Sequence, residues 1–226
     1  MKISQLSLLA FATTWSLISA HTVITYPGWR GNNLRDTEEF PYGMQWDYPC
    51  GGMNVTTNRT NWPIEGGAIA IQPGWFQGHA KAYFYINMGY GTDFLGGPKN
   101  MSFPMLPVFE ITGPSKEAYN GTFCLPHVPL PVNSTAKIGD NVTIQIVEVA
   151  VHGAALYNCV DVTLSDPKDV ADVNNQTCPN MTEIIGFNQV YSTPGESSAT
   201  FLTSRASHHL AWIPLLLVWM FAIVSS

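Results

Sequence analysis

The sequence predicts an all-β protein, an antiparallel β-sandwich of the immunoglobulin or fibronectin type with long loops. Three observations predict it. Short β-rich runs recur between turns supplied by 19 glycines and 16 prolines. No helical period of useful length survives outside the two ends of the chain. Four cysteines, Cys50, Cys124, Cys159 and Cys178, suffice for two disulfides of the kind that staple extracellular domains. Spacing leaves all three pairings open; the one adopted as the expectation is Cys50–Cys159 with Cys124–Cys178. A cysteine zinc site is the weaker alternative, because no C-x-x-C pair occurs.

Residues 22–26, Thr-Val-Ile-Thr-Tyr, read as a short strand ended by Pro27-Gly28. Residues 29–62 are rich in Gly, Asn and aromatics and read as loops pinned by Cys50. A strand follows over 66–71, closed by Gln72-Pro73-Gly74. After Trp75 to His79, residues 80–87 form a β-rich aromatic run, and 88–97 read as another glycine-rich loop. Residues 107–112 are a strand bounded by Gly113-Pro114, and 120–125 a shorter one stopped by Pro126, Pro129 and Pro131. The clearest strand is 141–151, where Val142, Ile144 and Ile146 alternate with Thr143 and Gln145. Residues 155–164 read as its neighbour, with Tyr157, Cys159, Asp161 and Thr163 on one face. The polar stretch 166–181 has room for one helical turn, and 183–190 for a final edge strand.

The two ends read as an address rather than as fold. Lys2, the apolar run from Leu6 to Leu17 and the seam Ile18-Ser19-Ala20 give a secretory signal over 1–20, cut after Ala20. Ile18 departs from the usual small residue three before the cut. The domain then runs over 21–190. Beyond it, 191–199 read as a linker with a small triplet, Ser197-Ser198-Ala199, and 200–226 as a ten-residue spacer and an apolar tail. The tail holds 15 apolar-rich residues broken by Pro214, short for a spanning helix of about 20 residues. That pattern predicts a GPI signal with attachment at Ser197 and removal of the tail; a short transmembrane helix is the rival reading. The expected location is the extracellular face of the plasma membrane or the cell wall.

About 175 residues remain for one domain with a substantial core. Lys and Arg number 10 against 16 Asp and Glu, and only 12% of residues are charged. That balance argues against nucleic acid and anionic lipid surfaces as partners. N-glycosylation sequons at Asn54, Asn58, Asn100, Asn120, Asn133, Asn141, Asn175 and Asn180 fit a secreted glycoprotein. No Ser/His/Asp grouping or phosphate-binding glycine loop stands out. The adjacent acids Glu38-Glu39 argue weakly for glycosidase work, since neighbouring side chains point apart.

Cutting after Ala20 makes His21 the first residue of the mature chain, and its free amine and imidazole Nδ1 lie within chelating reach of one metal. An α-amine ordinarily titrates near pH 7.7–8.0, so it needs little help to bind metal near neutrality. One further imidazole would complete a three-nitrogen site. His79, held between Gly78 and a β-rich run, is the candidate. His127 reads as a surface loop residue, and His152 as a turn residue or a partner behind the ligands. His208 and His209 leave with the tail. Each lone histidine is also readable as purely structural.

A secreted chain with histidine at the cleavage seam and Gly-His opening an aromatic strand resembles the fungal lytic polysaccharide monooxygenases (LPMOs). It is most similar to their LPMO-like offshoot, the GPI-anchored fungal copper acquisition factors. The likeness spans about residues 20–181 and rests on Ala20-His21-Thr22-Val23, Gly78-His79-Ala80 and Asn158-Cys159-Val160-Asp161-Val162. It implies a β-sandwich carrying a copper histidine brace, with His21 giving amine and Nδ1 and His79 the second imidazole. It also implies Asp161 as the third ligand, where the oxidative enzymes present Tyr or Phe. Three nitrogens and a carboxylate in a tetragonal plane suit Cu(II). Asp161 as an exposed strand carboxylate or a partner of Lys81 is the structural reading, and Tyr157 is its rival at the metal. The implied function is extracellular copper(II) binding for acquisition or homeostasis, with handover to a membrane copper transporter. The alternatives are a copper-dependent oxidase of cell-wall glycan, with Trp29, Trp46 and Trp62 as a stacking face, or a metal-free glycosylated wall protein.

Overall fold

The computed structural model describes residues 21–34, 45–74, 81–91, 98, 100–112, 121–151 and 153–180, with the backbone of 186–189. The expected signal, the GPI region, His79, His152 and Asn120 lie outside the described residues. Within them the chain is all-β. Its strands are β1 (Thr22–Tyr26), β2 (Thr60–Pro63), β3 (Gly67–Pro73), β4 (Lys81–Tyr90), β5 (Phe103–Pro104), β6 (Phe109–Thr112), β7 (Phe123–Val128), β8 (Asn141–Ala150), β9 (Ala155–Ser165) and β10 (Gly186–Gln189). A single 3-10 turn, Pro167–Asp169, follows β9 and is capped by the Asp166 side chain on the Lys168 amide.

The strands build two sheets. One has the order β1-β3-β7; the other runs β10-β6-β4-β8-β9-β2, with β5 paired to β4. Period-two patterning decides which side chains lie between them. Ile24, Ile69, Ile71, Phe123 and Val128 from the small sheet meet Phe84, Ile86, Met88, Ile111, Val142, Ile144, Ile146, Val160, Val162 and Leu164 from the large one in a single core. Phe84 stacks against Phe109 and meets Phe123 edge-on, with centroids 5.6 and 5.4 Å apart.

Strand β3 is buried along its whole length because both its faces are covered. Ile69 and Ile71 point to the core, while Ala68 and Ala70 pack with Cys178. The disulfides pair Cys50 with Cys159 and Cys124 with Cys178. The second lashes the polar segment after β9 onto the back of the small sheet, which explains why β3 carries alanine on that side.

Several elements depart from the sequence reading: β3 runs on through Pro73, β5 is an addition, and three others show a physical cause. Strand β7 runs through Pro126 to Val128 instead of stopping before it. It is the edge of the small sheet, paired only with β3, and an edge tolerates the missing N–H. His127 therefore lies exposed on an edge strand, not in a loop. Strand β2 emerges from the region read as loops and pairs in parallel with β9, from Thr60↔Val162 to Pro63↔Ser165, so the large sheet is not purely antiparallel. Trp62 holds it there: fully buried, with its indole N–H donated to the Ala68 carbonyl at 3.3 Å. Strand β4 extends to Tyr90, past the expected end at 87, because β8 pairs with it rung by rung from Ala82↔Ala150 to Tyr90↔Val142.

Candidate metal centre

His21 immediately precedes the edge strand β1 and is 1% exposed within the full chain. Its carbonyl accepts from the Gly74 N–H at 3.2 Å, and Thr22 pairs with Pro73, so the start of β1 is tied to the end of β3. The starts of β4 and β9 and the end of β8 share one end of the large sheet, through Ala82↔Ala150 and Val149↔Ala155. Asn158, three residues into β9, donates from Nδ2 to the Thr22 carbonyl at 3.0 Å. Residues 75–80, which contain His79, thus join a residue bonded to His21 to the first rung of β4.

The backbone of Thr22 has a second partner. The side chain of Gln45, itself fully buried, accepts the Thr22 N–H at Oε1 (2.9 Å) and donates from Nε2 to the Thr22 carbonyl (2.6 Å). Its Nε2 also reaches Asn33 Oδ1 at 2.9 Å, and its backbone carbonyl accepts from the Tyr157 N–H at 2.7 Å. Gly51, with φ +61°, packs against Asn33 and the Tyr157 carbonyl where no Cβ fits. Sequence reading placed Gln45 in a loop; only its place inside the Gln45-to-Gly52 run next to Cys50 hinted at burial. Glu148 is a second residue it missed, fully buried on β8 opposite Phe84 and Leu156.

Asp161 has other partners in the structure. On β9 the even residues Leu156, Val160, Val162 and Leu164 are buried, and Asn158 turns with them toward Thr22. The odd residues Tyr157, Cys159 and Asp161 take the opposite face, under the loops after β1. There Asp161 is 1% exposed and holds Arg30 bidentately, Nε to Oδ2 and Nη2 to Oδ1, both 2.8 Å. Oδ1 also accepts from Thr143 Oγ1 at 2.7 Å and Oδ2 from the Thr56 N–H at 2.9 Å. Arg59 Nη1 stands 3.9 Å from Oδ1. A carboxylate has about four acceptor positions, and these donors fill them. Asp161 is thus neither an exposed carboxylate nor the partner of Lys81, which pairs with Glu110 at 3.2 Å. Tyr157 shares the outer face and packs edge-on against Tyr48, centroids 5.4 Å apart.

All four cysteines are in disulfides, which removes thiolates as ligands and leaves nitrogen and oxygen donors. Among the described residues no group of three or more His, Cys, Asp or Glu could hold a metal ion. The sequence-predicted tryptophans do not share a face: Trp62 is in the core, Trp29 packs half-buried against it, and Trp46 is 49% exposed. The described sequon residues Asn54, Asn58, Asn100, Asn133, Asn141, Asn175 and Asn180 are all exposed. Tyr26, half-buried, has its phenol pushed above the usual value by burial.

A sequence profile of the copper acquisition factor BIM1-like domain matches residues 19–183. The chain is 55% identical over 217 residues to the lytic polysaccharide monooxygenase-like protein ham-7 of Neurospora crassa, covering 92% of this chain and 94% of that one. It is 50% identical over 240 residues to the lytic polysaccharide monooxygenase-like protein X325 of Aspergillus fumigatus, covering 99% and 96%. An AA10 LPMO crystal structure from Photorhabdus luminescens aligns with a TM-score of 0.40 and 13% identity, over 65% of this chain and 99% of that one. A domain-length profile match and identity of one half along nearly the whole chain carry the same conclusion: this protein belongs to the copper acquisition factor BIM1-like family, and its function is copper-related.

Proposed function

We propose that the mature protein binds Cu(II) at the cell surface through the amine and imidazole of His21 and the imidazole of His79, and delivers it for uptake. One observation carries the reading. Segments next to a chain end are ordinarily frayed, yet the backbone of Thr22, the residue after His21, is held by two buried side chains, Gln45 and Asn158. The donor set fits: amine and imidazole nitrogens suit Cu(II), the strongest-binding of the first-row divalent ions. Loss of the 200–226 tail to a GPI anchor would keep the site at the membrane, where a copper transporter could receive the ion. Glycans on the exposed sequons would shield a surface that carries few charges.

Asp161 joins the ligand set in this proposal only by letting go of Arg30, Thr143 and the Thr56 amide. We assign it instead to holding the loop that carries Arg30. Relatives named LPMO-like keep the oxidase reading as the rival function. Release of soluble oxidised oligosaccharide in the presence of reductant and peroxide would select it.

The test is a copper titration followed by electron paramagnetic resonance (EPR) on protein beginning at His21. A 1:1 signal with nitrogen couplings is expected. It should be lost in His79→Ala and in protein with one residue added before His21. An unchanged signal in either variant overturns the proposal.

A further inference from the structure

The clamp on Thr22 has a consequence for the ligand set, and it rests on the reading that His21 is the terminal ligand. In a flexible peptide, an N-terminal histidine has three nitrogens to offer Cu(II): the amine, the imidazole and the amide nitrogen of the next residue. The amide nitrogen can coordinate only without its hydrogen. In this protein that hydrogen is directed at Gln45 Oε1 with N···O 2.9 Å, and both residues are fully buried. The same carboxamide returns a bond to the Thr22 carbonyl, so it pairs with both backbone groups of one residue as a neighbouring strand would.

We infer that Gln45 is a positioning residue for the N-terminal ligand: it withholds the Thr22 amide, so that the terminus presents amine and imidazole alone and the remaining position stays open for a second imidazole. Rigidity comes from the partners of Gln45. Asn33 Oδ1 takes its second amide hydrogen, and the Tyr157 N–H fixes its backbone to β9. The carboxamide cannot rotate away without leaving buried polar groups unpaired. A ligand set held this way needs no reorganisation when the ion arrives.

The test uses protein labelled with [15N]threonine, beginning at His21 and loaded with one equivalent of Cu(II). Pulsed EPR of the parent should show the histidine nitrogens and no directly bound threonine nitrogen. Gln45→Met, which keeps the volume and removes both bonds, should add a strong [15N]threonine coupling. In metal-free protein the Thr22 amide should exchange with solvent about 100-fold faster in Gln45→Met than in the parent. Gln45→Glu retains the acceptor for the Thr22 N–H, so it should keep the parent's nitrogen count. It serves as the deciding variant if Gln45→Met fails to fold.

A folded Gln45→Met without the threonine coupling, or a Gln45→Glu that acquires it, overturns the inference. A parent that binds no copper overturns the metal reading instead, and the exchange measurement then still reports whether Gln45 holds Thr22.

Discussion

Replacing Arg30 with methionine removes the guanidinium from Asp161 and leaves the carboxylate buried. Two charge-assisted bonds of 2.8 Å disappear, along with those from Arg30 to the Met53 carbonyl and Thr143 Oγ1, both 3.0 Å. Breaking a buried pair from one side costs about 3–5 kcal/mol. Thr143 Oγ1 and the Thr56 amide still donate to Asp161, so the lower end applies, about 3 kcal/mol. For a domain of this size that lowers Tm by roughly 6–12 °C, or the urea midpoint by about 1.5 M at a slope near 2 kcal/mol per M. Asp161→Leu alone strands Arg30 and should cost a similar amount. The double variant Arg30→Met/Asp161→Leu should recover most of the loss, because an apolar pair of similar volume replaces two buried charges. Urea unfolding of metal-free protein, with chelator present, reads all three. The reasoning fails if either single variant costs less than about 1 kcal/mol, or if the double variant is as unstable as the singles. Asp161→Asn that keeps its stability yet no longer holds copper would return the carboxylate to the ligand set.

Three further outcomes follow from the same geometry. Gly51→Ala places a Cβ against Asn33 and 2.5 Å from the Tyr157 carbonyl at a φ of +61°, and should cost about 2–4 kcal/mol by thermal unfolding. It should also speed exchange of the Thr22 amide, because Asn33 supports Gln45. Replacing Cys124 and Cys178 together by alanine opens a closure of 54 residues, worth about 4 kcal/mol of chain entropy, and a urea midpoint that stays put would refute that role. Burial raises the Tyr26 phenol, so the folded state holds that proton more tightly than the unfolded chain. Its contribution to stability is complete below about pH 10 and falls as pH rises toward the elevated value. Tyr26→Phe should lose less urea resistance than the parent between pH 9 and 11.

Much of the fold was legible because alternation reports burial directly. The strands over 141–151 and 155–164 could be read from Val142, Ile144 and Ile146 against Thr143 and Gln145, and the shared face of Tyr157, Cys159 and Asp161 from period two alone. Strand β2 could not. Thr60-Asn61-Trp62-Pro63 has no alternation, and its pairing is made by a tryptophan slotting beside β3. Pro126 misled for a related reason: whether proline stops a strand depends on whether that strand is an edge, which is a tertiary fact. At the candidate site, the sequence reading named His21, His79 and Asp161 as ligands, and the structure adds the hydrogen bonding around Asp161. The partner of Asp161, Arg30, is 131 residues away, and nothing local distinguishes a carboxylate bound for a guanidinium from one bound for a metal. Gln45 was silent because a glutamine acting as a length of neighbouring backbone leaves no periodic trace.

The clasp between Thr22 and Asn158 joins positions 136 residues apart. During synthesis at about 5–20 residues per second, the first strand waits roughly 7–27 s before its partner on β9 exists. For that interval the Thr22 carbonyl lacks the Asn158 carboxamide, and Gln45, made 23 residues after Thr22, is the partner it can meet first. Once β9 is made, Asn158 closes the clasp, so the first strand reaches its final hydrogen bonding only after most of the domain has been synthesised.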